Sequence, residues 1–492
     1  MDLCGVAHNG RGQGLATIPI WQWSAVATAA AIRNGRISAE AVTGAHIERL
    51  RAANPALNAV VVDMTAQALE AARAADARQA QGEPLDALHG VPVTLKINID
   101  VEGQANSNGV VAFRDTLAPA DSPVAANLRA AGAIILGLTN TPEFSLRAFT
   151  DNALHGLTLN PWDPAITCGG SSGGAAASVA SGIGTIAHGN DIGGSLRGPA
   201  AWNGICTIKP TQGRVPAFNP SAPVERPPMA QLMSCQGPLA REVADVRLAL
   251  EVMGRRDVRD PWWVPAPLAP AGSAGPVKVA VAKIPGDMAP DGAVLGMIDR
   301  AAGYLSDAGY DVSQVEAPDI SVAWKLWADL LHTEIVTVQE AKMREVASPD
   351  FHRALDGMLR MATVLDLSGY MQAIARRSRV LREWLAFLER YPLILAPVSV
   401  KRTPGVNADL AHDHAVGDIL GHDMRFTCAL SVLGLPVAVT PAGLLDGQPV
   451  GVQLIGSRYR EDICLDAAAA IEARVGVLAH QLWAREAGYV AA

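Results

Sequence analysis

The sequence predicts an α/β protein, because segments with strand-like and helix-like patterns alternate along the chain. β-Branched residues dominate the stretches around Val93 and Val279, whereas small residues suited to a closely packed helix fill positions 173–181. The composition is that of a folded chain, since 49% of the 492 residues are apolar and 18% are charged. We therefore expect a globular protein with a sizeable core.

Helices precede the predicted sheet. Between residues 24 and 57 apolar positions recur at helical spacing, with a break at 34–36 and a capping serine, Ser38, before the second run. A third, alanine-rich helix is expected at about 64–81. The first strand follows within 91–99, so the chain passes from helices to sheet near residue 90.

Strands and helices then alternate, with a strand at 133–137, a helix at 173–181 and a strand at 278–282. A proline-rich stretch at 260–275 predicts a connector between two lobes. No repeat or long polar linker separates the halves, so one elaborated domain and two domains both stay open. The tract 321–423 is mostly helical in pattern, and three of its tryptophans are expected to face the core: Trp324, Trp327 and Trp384.

The charge balance argues against a nucleic-acid partner. The formal net charge is −8, from 40 basic and 48 acidic residues, and no run of Lys and Arg supplies a phosphate-binding patch. The six cysteines are spread along the chain without a Cys-x-x-Cys pair, so neither a disulfide framework nor a zinc knuckle is expected. This cysteine usage fits a reducing compartment.

No export signal or membrane segment is expected. The first residues are acidic and lack the basic and apolar regions of a signal peptide. The most apolar long stretch, 428–445, is interrupted by glycine, proline, serine and threonine, as in buried strands and turns. We therefore predict a soluble cytoplasmic protein.

Two glycine-framed serine loops carry the densest chemical pattern. They are Cys-Gly-Gly-Ser-Ser-Gly-Gly at 168–174 and Gly-Asn-Asp-Ile-Gly-Gly-Ser-Leu-Arg at 189–197. Glycine lets the backbone approach a ligand closely, so successive N–H groups can converge on one anion. Either loop taken alone is equally compatible with a tight turn between a strand and a helix.

Lys96 adds a candidate base to the two loops. Successive side chains of a strand point to opposite faces. In the first strand this alternation puts Lys96 on a polar face, opposite an apolar face formed by Val91, Val93, Leu95 and Ile97. Partial burial disfavours the ammonium, and lowering its pKa from roughly 10.4 to near 7 costs on the order of 4 kcal/mol. Such a lysine can accept a proton, although a snorkelling or ion-paired lysine is the commoner case.

Together these residues make the sequence resemble the amidase signature family, serine hydrolases with a Ser-cisSer-Lys triad. The resemblance rests on order and spacing, since Ser171 follows Lys96 by 75 residues and Ser195 follows Ser171 by 24. It covers most of the chain except the middle tract, through flanking motifs at 90–93, 209–215, 434–436 and 449–456.

The resemblance implies an amide hydrolase whose central mixed β-sheet is covered on both faces by helices. Carried over residue by residue, Ser195 is the nucleophile, Ser171 is the proton relay on a cis peptide bond, and Lys96 is the neutral general base. Backbone N–H groups would form the oxyanion hole: Ile192, Gly193, Gly194 and Ser195. Four further residues are expected to orient the loops: Ser172, Asn190, Asp191 and Arg197.

The resemblance also divides the chain into four ranges. We expect a helical segment at 1–85, the catalytic core at 86–260, a connector with a mostly helical pocket region at 261–425, and closing strands with a helix at 426–492.

Three positions depart from the commonest family pattern, with Ile97 in place of Asp, Asn190 in place of Thr, and Ser431 in place of Asn. Ile97 would remove a charge near Lys96, and Asn190 would alter a hydrogen bond beside the nucleophile loop. None of the three is a triad position, so we expect catalysis to be retained, and the effect on substrate choice and pH profile stays open.

Other interpretations stay open at the level of the sequence. Ser172 lies in a Gly-x-Ser-x-Gly pattern, which also fits the nucleophile elbow of an α/β-hydrolase. A loop has the residue types of a metal site, but the predicted triad needs no metal, so no metal or cofactor is expected there; the members of this loop are His412, Asp413, His414, Asp418, His422 and Asp423. A family member that acts within an amidotransferase complex is a further alternative.

The resemblance leaves the small-molecule substrate open among amides, carbamates and esters. Charged residues are scarce beside the serine loops, so we predict an apolar acyl pocket with Trp202 on its rim as a substrate contact. A homodimer is the default assembly.

Overall fold

The structure is a computed structural model that describes residues 18–268 and 276–490. The part of the predicted connector at 269–275, and the start of the chain with Cys4, lie outside the described residues.

Eleven strands of the described chain form one mixed sheet. Their bounds are β1 Val60–Asp63, β2 Pro92–Lys96, β3 Ile134–Thr139, β4 Ile186–Asp191, β5 Cys206–Lys209, β6 Cys235–Ala240, β7 Lys278–Ala282, β8 Asp311–Val315, β9 Leu393–Pro397, β10 Val437–Leu445 and β11 Gln448–Gly456. The order across the sheet is β1-β3-β2-β4-β6-β5-β10-β11-β9-β7-β8. Pairing is parallel within β3-β2-β4 and β9-β7-β8, and antiparallel between the other neighbours.

Helices connect most of the strands. Those of the described ranges are α1 Ala25–Arg33, α2 Ala39–Leu57, α3 Thr65–Ala80, α4 Pro123–Ala130, α5 Gly173–Ala180, α6 Arg197–Asn203, α7 Pro228–Met233, α8 Val243–Met253, α9 Gly292–Asp307, α10 Ile320–Glu334, α11 Glu340–Val346, α12 Pro349–Met361, α13 Leu367–Leu388, α14 Arg425–Leu433, α15 Glu461–Val475 and α16 Ala479–Val490. None of these helices is long and apolar enough to cross a bilayer.

The helices cover both faces of the sheet. In β9, Leu393 and Leu395 join a core with α4, α8, α9 and α15, whereas Ile394 and Ala396 join a second core with α5, α6, α10, α13 and α14. This alternation is the period of two that a strand buried on both faces must show. It confirms the predicted α/β class and the mixed sheet covered on both faces.

The N-terminal helices begin and end close to the predicted positions. The break at 34–36 separates α1 from α2, and the Ser38 hydroxyl caps α2 by accepting the N–H of Ala41 at 3.0 Å. Trp384 of α13 is fully buried, as predicted for the middle tract.

One sheet runs through all four of the ranges expected from the resemblance. β1 lies in 1–85, β2 to β6 lie in 86–260, β7 to β9 lie in 261–425, and the last two strands lie in 426–492. The middle range therefore contributes part of the sheet in addition to its helices. The side chains of its parallel strands β7 and β9 point alternately into the two cores, one on each face of the sheet.

Candidate active site

Lys96 ends β2 on the face of the sheet that α5 covers. Val93 and Leu95 face the opposite core, so the predicted alternation holds. Thr94, on the same face as Lys96, lies with its hydroxyl 3.3 Å from that of Ser178 on α5. Because β2 is buried on both faces, the Lys96 side chain is 0% exposed, which is deeper than the partial burial predicted from the sequence.

Three oxygen atoms surround the Lys96 amine. Nζ lies 2.7 Å from Ser171 Oγ, 2.8 Å from Asn190 Oδ1 and 3.2 Å from Ser172 Oγ. Burial lowers the pKa of Lys96 well below its ordinary 10.5, and the nearby charge of Asp191 offsets only part of this effect. The amine is therefore suited to accept a proton from a neighbouring hydroxyl.

Ser171 follows a cis peptide bond from Gly170, in the loop that leads into α5. The loop is closely packed, since a Cβ on Gly170 would lie 2.5 Å from the backbone nitrogen of Phe149. The N–H of Ser172 donates to the carbonyl of Ser195 at 3.2 Å and so joins the two serine loops. Ser171 and Ser195 consequently line the same cavity.

The loop that carries the predicted nucleophile, residues 192–195 between β4 and α6, is here called the nucleophile loop and is fixed through its carbonyl groups. Each carbonyl accepts one hydrogen bond from a different part of the chain: Ile192 from Trp327 Nε1 at 2.7 Å, Gly193 from Cys428 Sγ at 3.1 Å, Gly194 from Gly198 N at 2.8 Å, and Ser195 from Ser172 N at 3.2 Å. The C=O and N–H of a trans peptide group point in opposite directions. These contacts therefore set the directions of the N–H groups as well.

Three N–H groups of the nucleophile loop form no hydrogen bond within the described chain, and these are available to an oxyanion: Ile192, Gly193 and Ser195. Gly194 is different, because its N–H donates to Asp191 Oδ1 at 2.8 Å. Its φ of 111°, which glycine adopts without strain, permits this direction. The prediction that Gly194 belongs to the oxyanion hole is wrong for this reason.

Asp191 and Arg197 form a fully buried ion pair beside the nucleophile loop. Two nitrogen–oxygen contacts of 2.8 and 3.0 Å join the side chains. Burial alone raises the pKa of Asp191, but the Arg197 guanidinium outweighs this effect and the pKa falls to about 2. Ser431 accepts from Arg197 Nη2 at 3.0 Å, so this departure from the family pattern touches the ion pair and not the amine.

Asn190, where the family pattern often has Thr, contacts the amine directly. Its Nδ2 donates to Asn98 Oδ1 at 2.9 Å, and Asn98 Nδ2 donates to Ser145 Oγ at 2.9 Å. Asn98 is absent from the residues that the sequence predicts for the site, although its place two residues after Lys96 puts it on the same face. Ile97 packs in the core on the opposite face of the sheet. Contrary to the expectation, it therefore does not alter the immediate surroundings of the Lys96 amine.

The two serines open into a cavity of about 610 Å³, a size typical of small-molecule sites. Its wall includes the amides of Asn98 and Asn190 and the apolar side chains of Phe144, Leu331 and Ile335. The same wall also contains four charged residues: Glu225, Arg226, Arg259 and Asp260. A second, narrow pocket begins at Ile192 and Ser195 and continues between Trp327, His332, Met358, Leu420 and Met424. This narrow pocket measures about 30 Å³, which is room for one or two water molecules, so the apolar acyl pocket stays a prediction.

Trp202 lines neither of these cavities. Its side chain is 3% exposed and packs in the core beside Gly169, which corrects the prediction that it lies on the pocket rim. Trp327 is equally buried, as predicted, but it also lines the narrow pocket and holds the carbonyl of Ile192. No local spacing could reveal this role, because α10 reaches the loop only through the tertiary fold.

The nucleophile-elbow alternative has no support in the geometry. Ser172 is 0% exposed and donates to the carbonyl of Asn190 at 3.3 Å, and the chain before it forms an isolated bridge at Thr167 instead of a strand. In the loop that has the residue types of a metal site, His412 and Asp418 are exposed and 3.6 Å apart. Within the described ranges, no three His, Cys, Asp or Glu side chains are grouped to bind a metal.

The mixed sheet and the lysine–serine cluster are features of a hydrolase, and sequence comparison gives its family. The chain belongs to the Amidase family, which matches residues 41–465. It is 61% identical to an indoleacetamide hydrolase of Bradyrhizobium diazoefficiens, over 94% of this chain and 89% of that protein. It is 30% identical to an acylamidase of Rhodococcus erythropolis, over 92% of this chain and 95% of that protein.

A solved structure agrees with this assignment. A bacterial aryl acylamidase of the amidase signature family superimposes with a TM-score of 0.79, at 28% identity over 95% of this chain and 98% of that chain. The predictions of the family and of amide hydrolysis are confirmed: the protein is a hydrolase of non-peptide amide C–N bonds.

Proposed function

We propose that this amidase hydrolyses indoleacetamide to indoleacetate and ammonia. The observation that carries the proposal is the 61% identity to an indoleacetamide hydrolase, together with a cavity of about 610 Å³ that Ser195 lines. A primary amide needs space for only a small leaving group, so the larger requirement falls on the side of the acyl group. The aromatic and aliphatic walls at Phe144, Trp327 and Leu331 supply apolar surface for a ring.

In the proposed mechanism, Lys96 begins as a neutral amine. Ser195 Oγ attacks the amide carbonyl while its proton passes to Ser171 Oγ, whose own proton passes to Lys96 Nζ. The proton returns along the same path to the leaving nitrogen, which departs as ammonia and leaves an ester of Ser195. Water then attacks this ester by the same relay and releases the carboxylic acid, which ionises to the carboxylate.

The hydrogen bond between Ser171 and Lys96 that this relay requires is already formed, since Ser171 Oγ lies 2.7 Å from Lys96 Nζ. Within the described chain, Ser171 and Ser195 share no hydrogen bond between their hydroxyls. Catalytic hydrogen bonds often tighten only when the substrate is bound. We propose that the carbonyl carbon of the substrate draws the Ser195 hydroxyl into line with Ser171 as it binds.

The oxyanion hole we propose consists of the N–H groups of Ile192, Gly193 and Ser195. Because the loop carbonyls are already hydrogen-bonded, the loop needs little rearrangement when negative charge develops on the substrate oxygen. Removal of one such donor typically costs roughly 3 kcal/mol in the barrier. Asp191, which is paired with Arg197, supports this loop because its carboxylate accepts hydrogen bonds from the N–H groups of Gly194 and Leu196.

The test is hydrolysis by the purified chain alone. Without a partner or ATP, it should release indoleacetate from indoleacetamide, as followed by liquid chromatography, and Ser195→Ala should abolish turnover. Phenylacetamide, glutamine, a carbamate and an ester of indoleacetic acid serve as competitors. Glutamine turnover that needs a partner would favour a role within an amidotransferase complex instead. Higher kcat/KM on the carbamate or the ester would contradict the amide preference.

We also propose a cytoplasmic location and a homodimer. The five described cysteines are free and buried, as suits a reducing compartment, and burial raises the pKa of Cys428, so its thiol stays protonated. Fractionation of the source cells and light scattering of the purified protein test the two statements. A secreted protein or a monomer would contradict them.

A further inference from the structure

Asn98 and Asn190 pair their side-chain amides beside the Lys96 amine and are here called the amide pair. Asn190 Nδ2 donates to Asn98 Oδ1 at 2.9 Å, and Asn98 Nδ2 donates to Asn190 Oδ1 at 3.2 Å. An amide has a donor end and an acceptor end of nearly the same shape, so the pair could reverse as a unit and keep both mutual bonds. Reversal would turn Nδ2 of Asn190, in place of its Oδ1, toward the amine 2.8 Å away. Gln236 opposes this weakly, since its Oε1 lies 3.5 Å from Asn190 Nδ2.

The hydroxyl of Ser145 distinguishes the two arrangements of the amide pair. Its single hydrogen goes to Asn108 Oδ1 at 2.7 Å. Its oxygen accepts the second N–H of Asn98 Nδ2 at 2.9 Å and, since its own hydrogen is already donated, also accepts the hydroxyl of Thr141 at 2.9 Å. Ser145 therefore offers Asn98 a lone pair and no hydrogen. A reversed pair would place the oxygen of Asn98 against the oxygen of Ser145.

The backbone that carries Ser145 is held in a conformation that L side chains disfavour. The angle φ is 56° at Ser145, 54° at Phe144 and 46° at Asn108, all in the left-handed region. The N–H of Phe144 donates to the carbonyl of Asn108 at 3.0 Å, so the two strained segments hold each other. All three residues line the cavity that Ser195 shares. Conformations of this kind persist where surrounding contacts determine them, and they are concentrated at functional sites.

We infer that Ser145 is a positioning residue, whose hydroxyl keeps the amide pair in the arrangement that presents an acceptor to Lys96. This inference rests on the relay of the proposed function. In the reversed arrangement, Asn190 Nδ2 would donate to the lone pair of the neutral amine, which then could not take the proton of Ser171. The ammonium has no lone pair to accept such a donor, so the reversed arrangement forms when Lys96 is neutral. Ser145 thus keeps the neutral base in its active form.

The pH profile of kcat/KM for Ser145→Gly tests this role. Glycine removes the hydroxyl and relieves the positive φ. With one hydrogen bond fewer to oppose reversal, we expect the plateau above the midpoint to fall about tenfold and the midpoint to move down by about one pH unit. The two changes are linked because the reversed form adds to the neutral enzyme without being active. On the acid limb the rates should stay near those of the wild type, since the ammonium form keeps the original arrangement.

Initial rates between pH 5 and 10 report the titration of Lys96. Within the described chain, the titratable groups that act on its amine are Asp191 and His188. The pKa of Asp191 is lowered to about 2 in spite of its burial, and burial lowers the pKa of His188 to about 3. Neither group changes its charge in this range.

Two further variants separate positioning from packing. Asn108→Gly leaves Ser145 in place but frees its hydrogen for a reversed Asn98, so it should show the same linked changes as Ser145→Gly. Thr141→Val is the matched control, because it removes a hydroxyl that contacts Ser145 and leaves the bond to Asn108 intact. Its midpoint should equal that of the wild type.

The outcomes distinguish this inference from the proposed relay. A wild-type profile, or one constant loss at every pH with an unchanged midpoint, refutes the role of Ser145 in whichever of Ser145→Gly and Asn108→Gly folds. Phenylacetamide replaces indoleacetamide in these assays if the enzyme does not hydrolyse the latter, so a wrong substrate leaves the test intact. A Lys96→Met enzyme that keeps full activity refutes the relay itself.

Discussion

Replacement of Asn190 by Asp puts a carboxylate where an amide oxygen now lies 2.8 Å from the Lys96 amine. The shape of the side chain is nearly conserved, and only the charge changes. Two opposite unit charges about 4 Å apart interact by about 4 kcal/mol at an effective dielectric constant of about 20. One pKa unit corresponds to about 1.4 kcal/mol, so the pKa of Lys96 should rise by about 2 to 3 units.

The direction of the activity change follows from the role of the base. Lys96 must be neutral to accept a proton, so a raised pKa moves the acid limb of the pH profile of kcat/KM upward by the same 2 to 3 units. At any pH on the acid limb, the kcat/KM of the Asn190→Asp enzyme should be about 100-fold or more below the wild-type value, and it should rise about tenfold for each pH unit. Initial rates of ammonia release between pH 5 and 10 measure this shift.

The matched control is Asn190→Thr, which introduces an uncharged oxygen at the same place. Its kcat/KM should fall by less and its pH midpoint should stay within about one unit of the wild-type value. An Asn190→Asp enzyme that is weaker by one constant factor at every pH would show that the titrating base is not Lys96. A midpoint that moves downward would contradict the sign of the electrostatic reasoning.

Three further predictions concern the residues around the amine and the loop. Lys96 keeps its proton up to about pH 10.5 in the unfolded chain, whereas burial lowers its pKa in the native chain. The free energy of unfolding of the wild type, relative to that of Lys96→Met, should therefore rise between pH 7 and 9 by up to about 1.4 kcal/mol per pH unit. Urea unfolding of both proteins measures this difference, and parallel pH curves would contradict it. Asp191→Asn leaves the Arg197 charge buried without its partner and should cost about 3 to 5 kcal/mol in unfolding free energy, against about 1 kcal/mol for Ser431→Ala. Trp327→Phe removes the hydrogen bond to the nucleophile loop but keeps a ring, so kcat/KM should fall about tenfold with a stability loss of about 1 kcal/mol, as measured by kinetics and thermal unfolding.

The parts of the site that can be predicted from the sequence are those set by local geometry. The alternation of β2 puts Lys96 on the face away from Val93 and Leu95, and the glycine pattern marks the loops that carry Ser171 and Ser195. Both signals act over a few residues, where backbone periodicity and steric limits decide the structure. The same holds for α1 and α2, whose break and cap can be read from adjacent positions.

Three roles in the site do not follow from the spacing of the sequence. Trp327 lies 135 positions after Ile192, and nothing in the spacing of either indicates that the indole holds the loop carbonyl. Trp202 follows the nucleophile closely in the chain, which suggests the pocket, but α6 turns it into the core. Gly194 shares the loop pattern of its neighbours, although a positive φ sends its N–H to Asp191. Direction in space, and not proximity in the sequence, decides these three roles.

The count of hydrogen atoms around Lys96 gives the proposed relay a direction. A neutral amine has two N–H groups and one lone pair, so one of its three neighbours must donate to it. Asn190 Oδ1 only accepts, and its orientation is fixed because the Nδ2 of the same amide donates to Asn98 Oδ1. Ser172 Oγ already donates to the carbonyl of Asn190. The donor is therefore Ser171, whose hydroxyl lies nearest to the amine and whose lone pairs then remain for the proton of Ser195. A threonine at position 190 could turn its hydroxyl and donate in place of Ser171, whereas the amide excludes that arrangement.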